Sequence, residues 1–361
     1  MRKLIAGMVA VLLAAVSAFP VQAISAQSAI VLDASTGRVL YEKNADKQSL
    51  IASTTKIMTA LVVCEQCNVL DRVRIPKEAV GIEGSSMYLQ EGEVLTVQEL
   101  LYGLMLHSGN DAATALAIYC GGTVEGFAEL MNDKAHALDL KGTHFMNPHG
   151  LDSPGHYSTA RDLARLTAYA MKNPVFAQTV STKTVSVGTR SLRNHNKLLW
   201  QVAGAEGVKT GYTKAAGRIL VSSVLRDGRR LVTVTINAPD DWKDHSALIE
   251  NGYKDYQVAQ LIQPGQCMSV ASVIGSKTES VDLLAAEGFS FSLRQEEQVR
   301  FELSGPGFVY APFSQNQEAG FVHVLVDGVA VGKVPLVYGC GAEMENSPEP
   351  SLWEKIFRRA G

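Results

Sequence analysis

A serine and a lysine three positions apart, Ser53 and Lys56, are the first residues whose types and spacing suit covalent chemistry. If Ser53 opens a helix, Lys56 lies one turn later on the same face, within reach of the hydroxyl. A neighbouring base makes serine a nucleophile, and a lysine is such a base when burial or a second cation lowers its pKa. Free N–H groups at the helix N-terminus could stabilise an oxyanion. Taken alone, the pair is more typical of a serine that caps a helix.

Ser108 and Asn110 form a second candidate pair, separated by one glycine. A hydroxyl and an amide two residues apart in a turn can point into one cleft. There the serine could relay a proton to a leaving amine, and the asparagine could hold the substrate backbone. Ser314 and Asn316 show the same spacing. Ser108 is preferred because it lies between the other two motifs and just ahead of a predicted helix.

Lys209, Thr210 and Gly211 form the third candidate motif, ahead of a predicted strand. An ammonium and a hydroxyl can bind a carboxylate, and a glycine in an edge strand lets a substrate backbone approach closely. Lys209 would also be the second cation that lowers the pKa of Lys56, which couples the two motifs. The alternative is a turn with a solvated lysine.

The elements that must position these motifs are strands at both ends of one long unit and helices in its middle. Short apolar or β-branched runs joined by hairpin turns predict the strands, and apolar residues three and four apart predict the helices. The strands are 29–33, 38–42, 219–225 and 230–236; a helix starts at residue 53, and others lie near 97–106, 110–119, 124–137, 159–172 and 242–261. The pattern predicts an antiparallel sheet assembled from both ends, with a helical subdomain beside it.

The composition changes after Pro264. Short alternating segments separated by turns predict a small all-β domain over residues 263–340. Its predicted strands are 289–293, 299–303, 322–326 and 329–334. The catalytic unit is therefore expected to cover residues 24–262.

The two ends of the chain predict export and contact with a membrane. Residues 1–23 combine a basic start, an apolar stretch and a small-x-small ending, which is typical of a cleaved signal peptide; the alternative is an uncleaved anchor helix. Residues 341–361 are predicted to be a linker and a short amphipathic tail. An apolar stripe facing a basic stripe in that tail fits a helix at an anionic membrane surface, the alternative being a frayed end. The expected location is the outer face of the cytoplasmic membrane or the cell wall.

Charge and cysteine content exclude several classes of protein. The 33 basic and 36 acidic residues leave a formal net charge of −3, which does not suit a nucleic-acid partner. Cys64 and Cys67 could be half of a zinc or redox site, but Cys120, Cys267 and Cys340 are scattered along the sequence and supply no second pair. Core thiols or one incidental bridge are the favoured interpretation. No metal site, phosphate loop or nucleotide signature is present, so no cofactor is expected.

The ordered set S-x-x-K, S-x-N and K-T-G resembles that of penicillin-binding proteins and class A β-lactamases. Beyond these motifs, the chain resembles the low-molecular-weight D-Ala-D-Ala carboxypeptidases (peptidase S11-like), including vegetative and sporulation enzymes of Gram-positive bacteria. The similar stretches are 52–60, 84–87, 106–113, 147–162 and 207–223. The resemblance implies an α/β (α+β) fold, in which a five-stranded antiparallel sheet carries helices on both faces and a helical subdomain, followed by the all-β domain.

The resemblance also implies catalytic roles for three residues. Ser53 is the acylated nucleophile, Lys56 is the base for acylation, and Ser108 serves proton transfer. The implied reaction is attack on the penultimate D-Ala carbonyl of peptidoglycan stem peptides, loss of the terminal D-Ala and hydrolysis of the acyl-enzyme. β-Lactam antibiotics would acylate the same serine because they mimic the D-Ala-D-Ala end.

Substrate binding is implied for five further residues. Asn110 holds the substrate, and Lys209 and Thr210 receive its terminal carboxylate. Gly211 lies beside the substrate backbone, and the N–H of Tyr212 joins that of the nucleophile in the oxyanion hole.

Four other residues are weighed against this set. His195 stands where some family members carry an arginine, so accessory contacts to the carboxylate are in doubt there. Arg218 could clamp a carboxylate or cover the sheet edge, and it is left out of the catalytic set. His107 and His245 are not needed by a lysine base, and a structural role is favoured for both.

Three other functions remain as alternatives. A class A β-lactamase would need a Glu-x-x-Leu-Asn motif between Ser108 and Lys209; the nearest match, 129–132, has its asparagine one residue too early. A silent wall-binding module would usually lack one motif member. A cross-link endopeptidase would use the same residues, and the sequence does not separate it from a carboxypeptidase.

Overall fold

The computed structural model describes residues 24–345. The expected signal peptide (1–23) and the amphipathic part of the tail lie outside the described residues. In chain order the first region contains β1 (Ser28–Asp33), β2 (Val39–Lys43), a 3-10 turn (Ala52–Thr55), α1 (Lys56–Gln66), β3 (Arg72–Arg74), β4 (Val94–Thr96), α2 (Val97–Leu106), α3 (Asn110–Gly121), α4 (Val124–Ala137), α5 (Ala160–Ala170), α6 (Pro174–Ser181), β5 (Thr184–Val187), β6 (Arg190–Arg193), α7 (Leu198–Gln201), β7 (Ala205–Thr213), β8 (Gly217–Arg226), β9 (Arg229–Ile236) and α8 (Asp241–Asp255).

The second region is built of strands alone. It contains β10 (Gln257–Ile262), β11 (Cys267–Ile274), β12 (Ser280–Ala285), β13 (Phe289–Leu293), β14 (Val299–Ser304), β15 (Phe308–Tyr310), β16 (Glu318–Val326) and β17 (Val329–Tyr338). One sheet has the order β14-β16-β17-β12-β11-β15, and β10 pairs with β13 in a separate ladder. These strands enclose their own buried cluster, in which Val322, Val324 and Leu336 are fully buried.

The main sheet of the first region has five antiparallel strands in the order β2-β1-β9-β8-β7. Strands from both ends of the region therefore meet, because β1 pairs directly with β9. Alternate residues of β1 face opposite sides, as the pleat requires. Ile30 and Leu32 join the large core beneath α1 and α5, whereas Ala29 and Val31 pack with Leu248 of α8. The predicted five-stranded sheet with helices on both faces is confirmed.

The helical subdomain lies beside β7, one of the two edge strands of this sheet. α1 is buried along its first two turns, and α2, α3, α4 and α6 pack around it. Local sequence sets the helix starts: Thr96 makes a capping box with Glu99, and Thr123 and Thr159 each accept a backbone N–H of the following turn. The subdomain thereby places the beginnings of α1 and α3 next to β7.

Two sequence-based expectations about elements are wrong. The helix expected over 242–261 ends at Asp255, and the next residues form β10, which pairs with β13. The helix expected to start at residue 53 begins as a 3-10 turn, and regular α1 starts at Lys56. β11, β12 and β15 were not predicted at all.

The two regions are joined through a buried carboxylate. Asp33, at the end of β1, is fully buried and accepts hydrogen bonds from Arg229 Nε (2.7 Å) and from Ser292 Oγ of β13 (2.5 Å). Arg38 forms an ion pair with Glu297, across the same junction. Asp33, Arg38 and Glu297 are thus paired at this boundary, whereas Nη2 of Arg229 is buried without a hydrogen-bond partner among the described residues.

Within residues 24–345, none of the helices combines the length and the hydropathy that crossing a bilayer requires.

Candidate active site

The candidate nucleophile lies in the 3-10 turn at the start of α1. Ala52, the residue before it, has a positive φ of 44°, an unfavourable conformation for a residue with a side chain. The turn places the Ser53 hydroxyl on the same side as Lys56, and Lys56 Nζ lies 3.0 Å from Ser53 Oγ. The spacing predicted from the sequence therefore brings the two groups into hydrogen-bonding contact.

Lys56 is fully buried and has three hydrogen-bonding oxygens around its amine. Besides Ser53 Oγ, they are Asn110 Oδ1 and the backbone carbonyl of His149, each 2.7 Å from Nζ. The pKa of Lys56 lies well below its usual value because of burial first and the positive charge of Lys209 second; Asp111 opposes the shift. Desolvation and a neighbouring cation are the two effects that convert a lysine into a base at neutral pH.

Ser108 and Asn110 come from the turn between α2 and α3. Ser108 is buried with a positive φ of 60°, and Asn110 is the first residue of α3. The Asn110 side chain is held from both sides, because Nδ2 donates to Glu83 O at 2.6 Å while Oδ1 accepts from Lys56. The structure thus places Asn110 against the lysine, where it orients the amine.

The loop that carries Glu83 is fixed by Asp111. This buried carboxylate accepts hydrogen bonds from Ser86 Oγ (2.6 Å) and from the backbone N–H groups of Met87 and Leu89 (3.1 and 3.0 Å). Asp111 was missed from the sequence although it directly follows Asn110. It holds one wall of the cleft.

The third motif lies on β7, the edge strand of the main sheet. Lys209 is 2% exposed, and its Nζ donates to Thr210 O at 2.8 Å. Desolvation lowers the pKa of Lys209 from 10.5 to about 7. A Cβ on Gly211 would lie 3.3 Å from Ser53 N, so β7 runs directly against the nucleophile turn. A glycine here permits that close approach.

A cavity of about 310 Å³ opens where these elements meet. From the three motifs it is lined by Ser53, Ser108, Thr210, Gly211 and Tyr212. The two lysines lie buried behind this surface. Residues far apart in the chain therefore surround one pocket, as the sequence predicts.

Residues outside the motifs complete the pocket wall. His195 lies at the wall with its ring centroid 5.1 Å from that of His107. Partial desolvation, Lys209 and His107 lower the pKa of His195, which favours the neutral imidazole. Arg218 also lines the cavity, where its Nη2 contacts both carboxylate oxygens of Asp241 at 2.9 Å.

His245 is away from this pocket. It is fully buried beneath the sheet between Ser222 Oγ (2.8 Å) and Thr235 Oγ1 (3.0 Å), and burial lowers its pKa to about 3. A neutral, doubly hydrogen-bonded histidine in the core has a structural role, as expected. Sequence reasoning missed the carbonyl of His149, since a main-chain ligand leaves no side-chain signal.

Among residues 24–345, no group of three or more histidine, cysteine or acidic side chains could hold a metal ion. The pocket wall contains the Ser53 hydroxyl, which contacts the buried amine of Lys56, and a serine beside an amine base suits acyl transfer.

Comparison with known proteins agrees with this geometry. A family profile described as D-alanyl-D-alanine carboxypeptidase matches residues 14–240, and one described as Penicillin-binding protein 5, C-terminal domain, matches residues 256–341. The D-alanyl-D-alanine carboxypeptidase DacF of Bacillus subtilis is 32% identical over 328 residues, which cover 86% of this chain and 84% of the relative. DacC of Escherichia coli is 32% identical over 92% of this chain and 87% of its own.

Solved structures give the same result. Penicillin-binding protein 5 of Haemophilus influenzae superposes with a TM-score of 0.79 at 29% identity, covering 89% of this chain and 98% of that one. Penicillin-binding protein 6B of Escherichia coli superposes with a TM-score of 0.71 at 29% identity, covering 87% and 96%. The similarity therefore extends through both regions of the fold.

Proposed function

The chain belongs to the peptidase S11 family of D-alanyl-D-alanine carboxypeptidases, and from that premise we propose that it removes the terminal D-Ala from peptidoglycan stem peptides through an acyl-enzyme on Ser53. It is a penicillin-binding serine hydrolase. The observation that carries the proposal is the 3.0 Å contact of Lys56 Nζ with Ser53 Oγ, at a lysine whose pKa is lowered by burial and by Lys209.

In the acylation step, Lys56 takes the proton of Ser53 as Oγ attacks the penultimate D-Ala carbonyl. The N–H groups of Ser53 and Tyr212 face the developing oxyanion, because β7 runs against the nucleophile turn. Collapse of the tetrahedral intermediate breaks the peptide bond. Ser108 passes the proton to the leaving amine, and D-Ala departs.

Substrate binding is assigned to the β7 edge. The terminal carboxylate is received by Lys209 and by the Thr210 hydroxyl, and its negative charge keeps Lys209 protonated. Gly211 leaves room for the substrate backbone. Asn110 orients Lys56 through Oδ1, and the rest of its side-chain amide is available to bind the substrate.

Deacylation reverses these roles. A water molecule gives a proton to the neutral amine of Lys56 and attacks the ester carbonyl, and Ser53 leaves with a proton returned from the lysine. β-Lactams enter the same sequence at the acylation step, with the lactam amide in place of the peptide bond.

The location and the domain boundaries belong to the same proposal. We assign residues 24–256 to the penicillin-binding unit and 257–340 to the all-β domain; the boundary lies earlier than the sequence predicted, because β10 pairs with β13 and Ile262 belongs to the buried cluster of the second region. The basic, apolar leader over residues 1–23 supports export. The apolar and basic stripes of the tail within 341–361 support attachment at the outer face of an anionic membrane.

The decisive experiment is incubation of the full chain with a peptide ending in D-Ala-D-Ala and measurement of released D-Ala. Ser53→Ala should abolish release and labelling by fluorescent penicillin, whereas Ser181→Ala, at an exposed serine, should leave both unchanged. Release of bound penicillin within seconds would favour a β-lactamase. If penicillin failed to label the folded parent protein, the silent wall-binding module would be the better assignment.

A further inference from the structure

Three of the five cysteines gather at one corner of the helical subdomain. Cys64 lies in the last turn of α1, Cys67 directly follows α1, and Cys120 lies in the last turn of α3. All are thiols, and each is half-buried against the main hydrophobic core. Cys120, which is distant from the other two in sequence, is therefore at the same corner of the fold as the Cys-x-x-Cys pair. Cys267 and Cys340 are exposed in the second region.

This corner lies at the opposite end of the two helices that carry the active site. α1 begins with Lys56 and α3 begins with Asn110, and these two side chains are hydrogen-bonded at 2.7 Å. The helices pack against each other along their length. With a rise of 1.5 Å per residue, the cysteine corner is roughly 15 Å from the pocket. A covalent link here would join the helices without touching a substrate.

The backbone around the corner is held in place by further contacts. Cys67 N donates to Val63 O at 2.9 Å, which fixes the end of α1. The hydroxyl of Tyr119, next to Cys120, donates to Asp71 Oδ2 at 2.9 Å. The end of α3 is therefore already tied to the loop that follows Cys67.

Cys67 and Cys120 lie at neighbouring ends of α1 and α3, and the pKa values of their thiols are shifted in opposite directions. Hydrogen bonding to Cys120 raises the pKa of Cys67, and the same contact lowers the pKa of Cys120. Burial raises the pKa of Cys64 to about 12, so this thiol stays protonated. Since the thiolate is the nucleophile in exchange reactions, Cys120 is the thiol that reacts first.

We propose that Cys67 and Cys120 are a redox-active thiol pair, which an external disulfide converts into a disulfide joining the ends of α1 and α3. The Cys120 thiolate attacks one sulfur of the external disulfide, forms a mixed disulfide and releases one small thiol. Cys67 then loses its proton and attacks the Cys120 sulfur, which releases the second small thiol. Two protein thiols are oxidised and one external disulfide is reduced to two thiols.

The new bond restrains the unfolded chain and holds together the two helices that carry Lys56 and Asn110. It closes a loop that contains α2 and most of α3, and a loop of this length is expected to raise the melting temperature by roughly 5–15 °C. The expected effect is on stability, and it does not depend on the enzymatic assignment.

To test this, the full chain with reduced thiols is treated with oxidised glutathione. Its disulfides are then mapped by mass spectrometry on peptides that have not been reduced again. We expect a peptide pair linked through Cys67 and Cys120, with neither of these two thiols left free, and the higher melting temperature. Cys67→Ser and Cys120→Ser should each lose the link and the thermal gain. The control that replaces both Cys267 and Cys340 with serine should retain them.

Three results would overturn the proposal, and each can be read from the parent protein even if a variant fails to fold. One is a link between Cys64 and Cys67. Another is alkylation of both Cys67 and Cys120 after oxidation. The third is a linked pair that leaves the melting temperature unchanged.

Discussion

Replacing Lys209 with methionine should abolish release of D-Ala and, at neutral pH, make the protein more stable. The side chain is 2% exposed, and burial lowers its pKa from 10.5 to about 7. At 1.36 kcal/mol for each pKa unit, keeping this amine buried and charged opposes folding by at most about 5 kcal/mol. Methionine has a similar length without charge, and it loses only the hydrogen bond to Thr210 O, worth about 1 kcal/mol.

The pH dependence gives the sign of the effect. Between the lowered pKa of about 7 and the ordinary value of 10.5, the unfolded chain binds a proton at Lys209 that the folded chain does not. The free energy of unfolding of the parent protein must therefore rise with pH across this window. The variant lacks that contribution, so its stability advantage should be largest at and below neutral pH and should shrink as the solution becomes alkaline.

Urea denaturation of both proteins at a series of pH values across this window measures the difference. Lys214→Met is the matched control, because Lys214 is an exposed lysine in the turn after β7 and its loss should leave the pH dependence unchanged. Parallel curves for the parent and Lys209→Met, or a less stable variant at pH 7, would refute the desolvation argument.

Three further predictions follow from the same contacts. The rate of acylation by penicillin should rise with pH through the lowered pKa of Lys56. In Lys209→Met this rise should move to higher pH, because the positive charge of Lys209 no longer lowers the pKa of Lys56. An unchanged pH–rate profile would contradict the coupling between the two lysines. Gly150→Ala should reduce the acylation rate at least about 100-fold. Gly150 has a φ of +87°, and the added methyl would overlap the carbonyl of Ala52, the residue before the nucleophile. The control Gly307→Ala, with open space around it, should be neutral. Asp33→Ala should lower the free energy of unfolding by about 3–5 kcal/mol in urea denaturation, because it leaves a buried arginine unpaired; a loss below about 1 kcal/mol would show that the junction contributes little.

The main sheet and the order of the motifs could be predicted because both leave local signals. Two runs rich in β-branched residues predict β8 and β9, and a hairpin turn at Asp227 and Gly228 joins them. The helix starts carry threonine caps. A serine three residues before a lysine can be recognised without a structure, since one helical turn decides its geometry.

Other features depend on contacts between distant parts of the chain. β10 has apolar residues that also suit a helix, and its pairing with β13 decides its conformation. β15 is a three-residue strand, and its parallel pairing with β11 is what stabilises it. The carbonyl of His149 reaches Lys56 across the fold, and Cys120 shares a corner with Cys67 only because α1 and α3 pack together.

The surroundings of Lys56 also determine which way a proton moves. A neutral amine has two N–H donors and one lone pair. Asn110 Oδ1 and the His149 carbonyl, both at 2.7 Å and both acceptors only, take the two donors. The lone pair is then directed at Ser53 Oγ, 3.0 Å away, so the hydroxyl must donate to the lysine. Burial and Lys209 favour the neutral amine, and the two carbonyl oxygens orient it; a base therefore forms before any substrate arrives. This makes Asn110 first a positioning residue for Lys56, which the sequence motif alone did not predict.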